Sequence, residues 1–532
     1  MTKRMNPWTT VLFLAAGVAA QGADWPEWGG SGVKNMVAKG ALPLEFAPGE
    51  GKAEEEIQKS GKNLKWVAKL GSQSYGTPVI AGGKVFVGTN NEEPRDEKVK
   101  GDRGVLMCFD EKTGKFEWQL TVPKLSAGKV SDWEFLGICS SPLIDAKAGA
   151  GYVVTNRGEV IAFDLNGMAN GNDGPFKDEG KYMAGGLDGI NKVQAVEVGS
   201  QDADILWGFD MRAELGVFPH NITSSSVATD GKRIFVTTSN GVDWSHLNIP
   251  APKAPSLVAL DKETGKLLGE EDAGIGERIM HCNWSSPGYV VHNGKPMVLF
   301  GAGDGFVYGF KPEAVKNKEG FDVLQEIFRY DANKKSYRFN DSGEPVKYAT
   351  FPGPSEVIAT PVYHNGKIYA SIGQDPEHGE GVGLLSCIPA DLQGKKENQE
   401  GAIWTYDGIK RTISTASVTD DGLLFIADYS GVLHCLDANT GKVIWTHDTL
   451  SHIWGSTLVA GGCVYLGTED GELSMIKAAK SADADGDGKV KDNELLNKVA
   501  FPSPLYSSPV AANGTLYVAT QTHLYAFSNP AK

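Results

Sequence analysis

The stretch Val432-Leu433-His434-Cys435-Leu436-Asp437-Ala438-Asn439-Thr440-Gly441-Lys442-Val443-Ile444-Trp445 reads as two short strands joined by a tight turn. The side chains of Asp437 and Thr440 suit hydrogen bonds to the turn amides, and Gly441 supplies the positive φ that the turn needs. The turn recurs as Asp110-x-x-Thr113-Gly114-Lys115 and as Asp261-x-x-Thr264-Gly265-Lys266. Trp118 and Trp445 each follow the turn lysine by three residues, a position suited to packing between neighbouring sheets.

A second phrase recurs around these turns. It has a pair of small residues, often a proline, an apolar pair, a glycine-containing turn and then an apolar strand. Its copies are Gly76-Thr77-Pro78-Val79, Ser140-Ser141-Pro142-Leu143, Ser224-Ser225-Ser226-Val227 and Ser285-Ser286-Pro287-Gly288. It continues as Ala359-Thr360-Pro361-Val362, Thr415-Ala416-Ser417-Val418, Gly455-Ser456-Thr457-Leu458 and Ser507-Ser508-Pro509-Val510. A second strand follows each phrase, and third and fourth strands follow in the best copies. Four short antiparallel strands repeated eight times predict an all-β chain, an eight-bladed β-propeller of four-stranded blades. One such sheet cannot bury both faces, so blades must stack around a circle. The last unit, Ser507 to Phe527, provides three strands. The segment Asn63-Leu64-Lys65-Trp66-Val67 resembles a fourth strand and is predicted to complete that unit and close the ring.

Composition agrees with this reading. There are 66 glycines in 532 residues, enough for many turns between short strands. Asp and Glu outnumber Lys and Arg by 66 to 51, a net charge of -15. Such a surface repels nucleic acid, and no basic stripe with interleaved aromatics is present. Residues 1–20 read as an export signal: Lys3 and Arg4, an apolar run from Thr9 to Ala20, then small residues before Gln21. No later stretch is long and apolar enough to span a bilayer. The expectation is a single propeller domain over residues 21–532, in a periplasmic or secreted setting. Most of the six cysteines read as small buried apolar residues, with one or two disulfides as the alternative.

Residues 483–494 match a twelve-residue EF-hand loop and fall inside the seventh unit. Asp483, Asp485 and Asp487 are ligands one, three and five, Gly488 makes the sharp turn, Lys489 offers its carbonyl and Glu494 closes the site. Without a cation, carboxylates at this spacing repel. The cofactor expected here is a structural calcium, with no second hand close in sequence to couple with. The polar loop at 164–174 lacks the closing Glu and reads as a hydrogen-bonded turn or a second cation site.

The repeat resembles that of the pyrroloquinoline-quinone (PQQ) repeat propellers. This family contains both quinoprotein alcohol dehydrogenases and the non-enzymatic propeller of outer-membrane protein assembly. Asp24-Trp25-Pro26-Glu27-Trp28 is similar to the start of exported members. For the dehydrogenases, the resemblance implies PQQ held beside calcium, an Asp base and in many a vicinal disulfide. Thr237-Thr238-Ser239-Asn240-Gly241 resembles the segment whose Asn ligates that calcium, which maps to Asn240. Ser256 to Asp261 resembles the strand after the catalytic Asp, but Ala251-Pro252-Lys253-Ala254-Pro255 stands where that Asp belongs. Gly101-Asp102-Arg103-Gly104 resembles the segment after the family's metal-ligand Glu, whose place is taken by Val99. No two cysteines are adjacent. Asp102 and Asp243 are the acids available as substitutes.

In a propeller the loops leading into the innermost strands line one mouth of the central channel. Here they bring Tyr75, Cys139, His220, Asn221, His281, Asn283, Trp284, Arg411, His452, Trp454 and Tyr506. Asn240, His281, Trp284, Arg411 and Trp454 are the candidate ligand or cofactor residues. Two main readings of function stand, with a hydrolase or lyase using the channel mouth as a third. One is a binding or scaffold module for a protein or polysaccharide partner at the mouth or rim. The other is a PQQ-dependent or related oxidoreductase.

Overall fold

The computed structural model describes residues 23–126, 130–377 and 381–529, so the expected export signal at 1–20 lies outside the described residues. The chain is all-β, built mainly of four-stranded antiparallel sheets in which consecutive strands pair in order. The first sheet is Val79–Ala81, Lys84–Asn90, Arg103–Asp110 and Phe116–Pro123. The strands from Ala228–Thr229 to Asp322–Asp331 form one nine-stranded sheet with Gly394–Lys396, because Glu270 and Glu271 pair in parallel with Val323 and Leu324.

Apolar side chains on facing sheets form the cores. Phe86, Cys108 and Trp118 of the first sheet pack with Val153, Ile161 and Phe163 of the second. Further cores repeat this along the chain. The last joins Tyr465 and Met475 to Leu516 and Tyr525, and these to Val85 and Met107 of the first sheet. The sheets therefore pack in a closed circle, a propeller-like arrangement. Each fully buried Val, Leu, Ile or Phe contributes about 1.5–3 kcal/mol to it. Leu64–Lys69 pairs antiparallel with His523–Ser528, with Trp66 opposite Ala526, so the early strand is the outer strand of the last sheet.

The Asp-x-x-Thr-Gly-Lys turns explain the join between sheets. Asp437 Oδ1 accepts from the Thr440 amide at 3.1 Å, and Asp110 and Asp261 do the same for Thr113 and Thr264. The tryptophan of one sheet lies on the turn glycine of the next. Indole N–H groups of Trp66, Trp118, Trp207, Trp404 and Trp445 donate to the carbonyls of Glu111, Leu165, Lys262, Ala438 and Ala479. A Cβ on Gly114, Gly265 or Gly441 would collide with the indole above it.

Two devices fill the axis. The first is a ring of hydroxyls from the recurrent small-residue phrase. Six of them accept from the equivalent amide of a neighbour: the amide of Ser141 donates to Ser226, Ser226 to Ser286, Thr360 to Thr415, Thr415 to Ser456, Ser456 to Ser508 and Ser508 to Thr77, at 2.8–3.2 Å. Small hydroxyl residues at these positions let the converging inner strands hydrogen-bond to one another. The second device is the N-terminal segment, which runs as a strap along the inner strands. Trp25 pairs with Ile80, the Pro26 carbonyl accepts from Ile144, Gly32 from Tyr289, Val33 from Tyr363 and Met36 from Val459. Trp28 donates from its indole to Thr360 Oγ1 of the hydroxyl ring at 3.1 Å. The buried Lys34 ammonium pairs with Glu27 within the same strap.

Candidate functional site

The loops that precede the hydroxyl phrases enclose a cavity of about 260 Å³, walled by Tyr75, Trp133, Trp284 and Trp454 with Cys139, Asn221 and Asp375. A second space of about 200 Å³ shares Tyr75, Trp284 and Trp454 and continues to the hydroxyl ring and Trp28. The mouth therefore opens on an aromatic chamber whose polar floor is backed by the strap. Tyr75 stacks on Tyr506 at 4.8 Å, and Trp454 stands edge-on to Tyr506 at 5.4 Å while its indole donates to Glu469. Burial pushes the Cys139 thiol up to about 12, so it stays a neutral thiol. All six cysteines are free thiols, five of them buried.

The five candidate residues separate into two groups. Trp284 and Trp454 line the cavity. Asn240, His281 and Arg411 serve elsewhere. Asn240 is fully buried; its Oδ1 accepts from the Phe218 amide at 2.9 Å and its Nδ2 donates to the Ala251 carbonyl at 2.9 Å. His281 is fully buried, edge-on to Trp284 at 5.0 Å and stacked on Tyr348 at 5.6 Å. Arg411 donates to the Asp375 and Pro376 carbonyls and lies over the Tyr429 ring at 4.8 Å. It thus pins the loop that forms one cavity wall. Trp133, Asp375 and Glu377 were not legible as mouth residues, because long insertions carry them and no motif marks them.

The PQQ-calcium arrangement of the dehydrogenases does not fit these residues. The Asn240 amide is committed to backbone on both sides, and Val99, where the resemblance implies a metal-ligand Glu, is a buried apolar residue. Asp243 is half-buried, and hydrogen bonds from Ser245 and Asn248 hold its carboxyl down at about 2, which makes it a weak base. Asp102 accepts from the Phe135 amide.

At 483–494, one carboxylate oxygen each of Asp483, Asp485 and Asp487 lie within 4.8 Å of one another. Asp483 accepts from the Gly486 and Gly488 amides, and both glycines have positive φ, +76° and +84°. Glu494 accepts from the Ala484 and Lys491 amides, which folds it back over the loop. The residue types and the turn fit a calcium ion. The loop is also tied to the neighbouring sheet. The Gly488 carbonyl accepts from Thr446, Val490 donates to the Thr446 carbonyl, and His447 donates to the Val490 carbonyl at 2.8 Å. Lys489 forms the bridge to Thr446, and Val490 is buried in the core between the two sheets. The outer strand of the preceding sheet, Val443–Asp448, takes the place that a second EF-hand fills elsewhere. The loop at 164–174 folds as a short 3₁₀ turn, with Asp164 accepting from Asn166 and Lys177 donating to Asn172.

Residues 55–167 and 392–485 match the family described as outer membrane protein assembly factor BamB. Lupanine 17-hydroxylase [cytochrome c] of Pseudomonas sp. is 23% identical over 425 residues, 77% of this chain and 53% of that protein. Outer membrane protein assembly factor BamB of Nitrosomonas eutropha is 40% identical over 103 residues, 19% of this chain and 22% of that protein. The chain spans about half, or less, of the length of the curated relatives it matches. The crystal structure of BamB from Moraxella catarrhalis superposes with a TM-score of 0.50 at 10% identity, covering 88% of this chain and 98% of that one. Fold and repeats are propeller-like and similar to those of the PQQ-repeat proteins. The chain is similar to PQQ-repeat propellers over part of its length, with quinoprotein dehydrogenases and BamB among its relatives. Among the described residues, no helix is long and apolar enough to cross a membrane.

Proposed function

We propose that the chain is an exported, eight-bladed binding or scaffold module with a structural calcium at Asp483, Asp485, Asp487, Lys489 and Glu494. In this reading the nine-stranded sheet is two blades, Ala228–Glu271 and Gly288–Asp331, joined by their outer strands. The carrying observation is the cavity walled by Tyr75, Trp133, Trp284 and Trp454. Flat indole and phenol faces with a few polar groups suit a sugar ring or an apolar side chain of a protein or polysaccharide partner. The strap and hydroxyl ring hold that surface rigid, which lowers the entropy cost of binding.

The match to a lupanine hydroxylase supports an oxidoreductase as the second reading. Against it stand the committed Asn240 amide and the weak basicity of Asp243. The test is to titrate the protein with PQQ and calcium, following quinone absorption and dye-linked oxidation of alcohols and sugars. No turnover is expected. Sustained dye reduction, lost in Asn240→Ala, would establish the dehydrogenase instead. In parallel, soluble polysaccharides and peptides are titrated by tryptophan fluorescence, and saturable quenching should weaken in Trp284→Ala and Trp454→Ala.

A further inference from the structure

Three histidines from separate loops meet beside the cavity. One nitrogen each of His220, His246 and His281 lie within 4.8 Å of one another. The ring centroids are 4.5 Å apart for His220 and His281, 4.9 Å for His220 and His246, and 5.2 Å for His246 and His281. His220 and His281 are fully buried, whereas His246 is exposed.

The backbone that carries them is tied together. The segment 239–242 lies between the other two loops. The His220 amide donates to Ser239, Gly241 to Phe218, Val242 to the His281 carbonyl and Asn283 to Asn240. A turn then returns His246, whose amide donates to Asp243 while Asp243 accepts from Ser245. His246 itself takes the left-handed φ of +57°, a cost that the surrounding turn must hold in place. The buried Asn240 amide is thus a structural tie within this platform.

His220 Nδ1 lies 2.7 Å from the Val242 carbonyl. A carbonyl only accepts, so Nδ1 carries the proton, and in the neutral ring Nε2 is the nitrogen that bears the lone pair. That is the orienting hydrogen bond which metal-binding histidines receive from backbone. Imidazole donors favour borderline first-row cations such as zinc over calcium, which takes oxygen. Zn–N bonds of about 2.0–2.1 Å hold ligand nitrogens roughly 3.3 Å apart, so the three rings would draw together from the 4.8 Å within which their nitrogens lie.

We infer that His220, His246 and His281 form a binding site for a divalent cation of the zinc class, with a fourth position left for water or a ligand. Trp284, which walls the cavity and stands edge-on to His281, links this site to the mouth. The inference is independent of the calcium loop and of the partner proposed above.

The test uses untagged protein, stripped with a chelator and titrated with Zn²⁺ by calorimetry and with Co²⁺ by visible absorption. One equivalent of Zn²⁺ and the ligand-field bands of four-coordinate Co²⁺ are expected. His246→Ala changes an exposed side chain and should fold, yet bind Zn²⁺ roughly a hundredfold more weakly. Asp483→Ala with Glu494→Gln should leave the Zn²⁺ site intact. Absence of stoichiometric binding, equal affinity in His246→Ala, or loss of the site in the calcium-loop variant would each overturn the inference.

Discussion

A Cβ on Gly441 would stand 2.5 Å from Cε3 of the Trp404 indole, and Gly441 has a φ of +71°. The turn glycine is therefore required twice, by the backbone it adopts and by the ring that rests on it. Gly441→Ala should cost about 1 kcal/mol from the left-handed backbone and a comparable further amount from the clash. Gly462, with a φ of +79° and nothing within 4 Å, is the control. Gly462→Ala should cost only the backbone part. Urea denaturation of both variants measures the difference, and equal losses would show that the indole contact contributes nothing.

The strap depends on the Glu27–Lys34 pair, in which the Lys34 side chain is fully buried. Glu27→Gln leaves a buried ammonium without its charge partner and should destabilise by roughly 3–5 kcal/mol. Glu27→Leu combined with Lys34→Met removes both charges and should recover much of that loss. Thermal denaturation of the single and double variants checks it.

Glu271 is fully buried, with its oxygens accepting from the Ser256 and Ala273 amides. Burial pushes its carboxyl up from 4.5 to about 7, with nearby Asp304 adding to the rise. The folded chain therefore holds this proton after the unfolded chain has released it. The contribution is fully present below pH 4.5 and is lost as pH rises through about 7. Over that window it amounts to roughly 3 kcal/mol. Glu271→Gln should flatten this part of the pH–stability curve, as denaturation at several pH values will show.

Calcium should raise the melting temperature, since only the folded loop presents all its ligands. Asp483→Ala with Glu494→Gln should abolish the response. The Lys491 ammonium bridges Asp485 and Asp487, and this pairing pushes its pKa well up. It competes with the ion for the same carboxylates, so Lys491→Ala should bind calcium more tightly in a calorimetric titration. Unchanged affinity would remove the lysine from the site.

The sequence by itself determined the all-β class, the PQQ-type repeat, the turn chemistry and the pairing partner of Leu64–Lys69. Each of these is local: Asp437, Thr440 and Gly441 act within one turn, and strand periodicity is written in neighbouring residues. It also placed Trp284 and Trp454 at the mouth, because each lies a residue or two before a recurrent phrase. Tertiary structure alone decided the rest. The same loop positions put His281 and Arg411 near the mouth in sequence, yet packing turned His281 inward against His220 and spent Arg411 on the Asp375 loop. Nothing local links His220, His246 and His281, or Val490 to Thr446, because their partners come from different strands and insertions. Such contacts depend on how far each loop travels before it returns, which only the closed circle of sheets fixes.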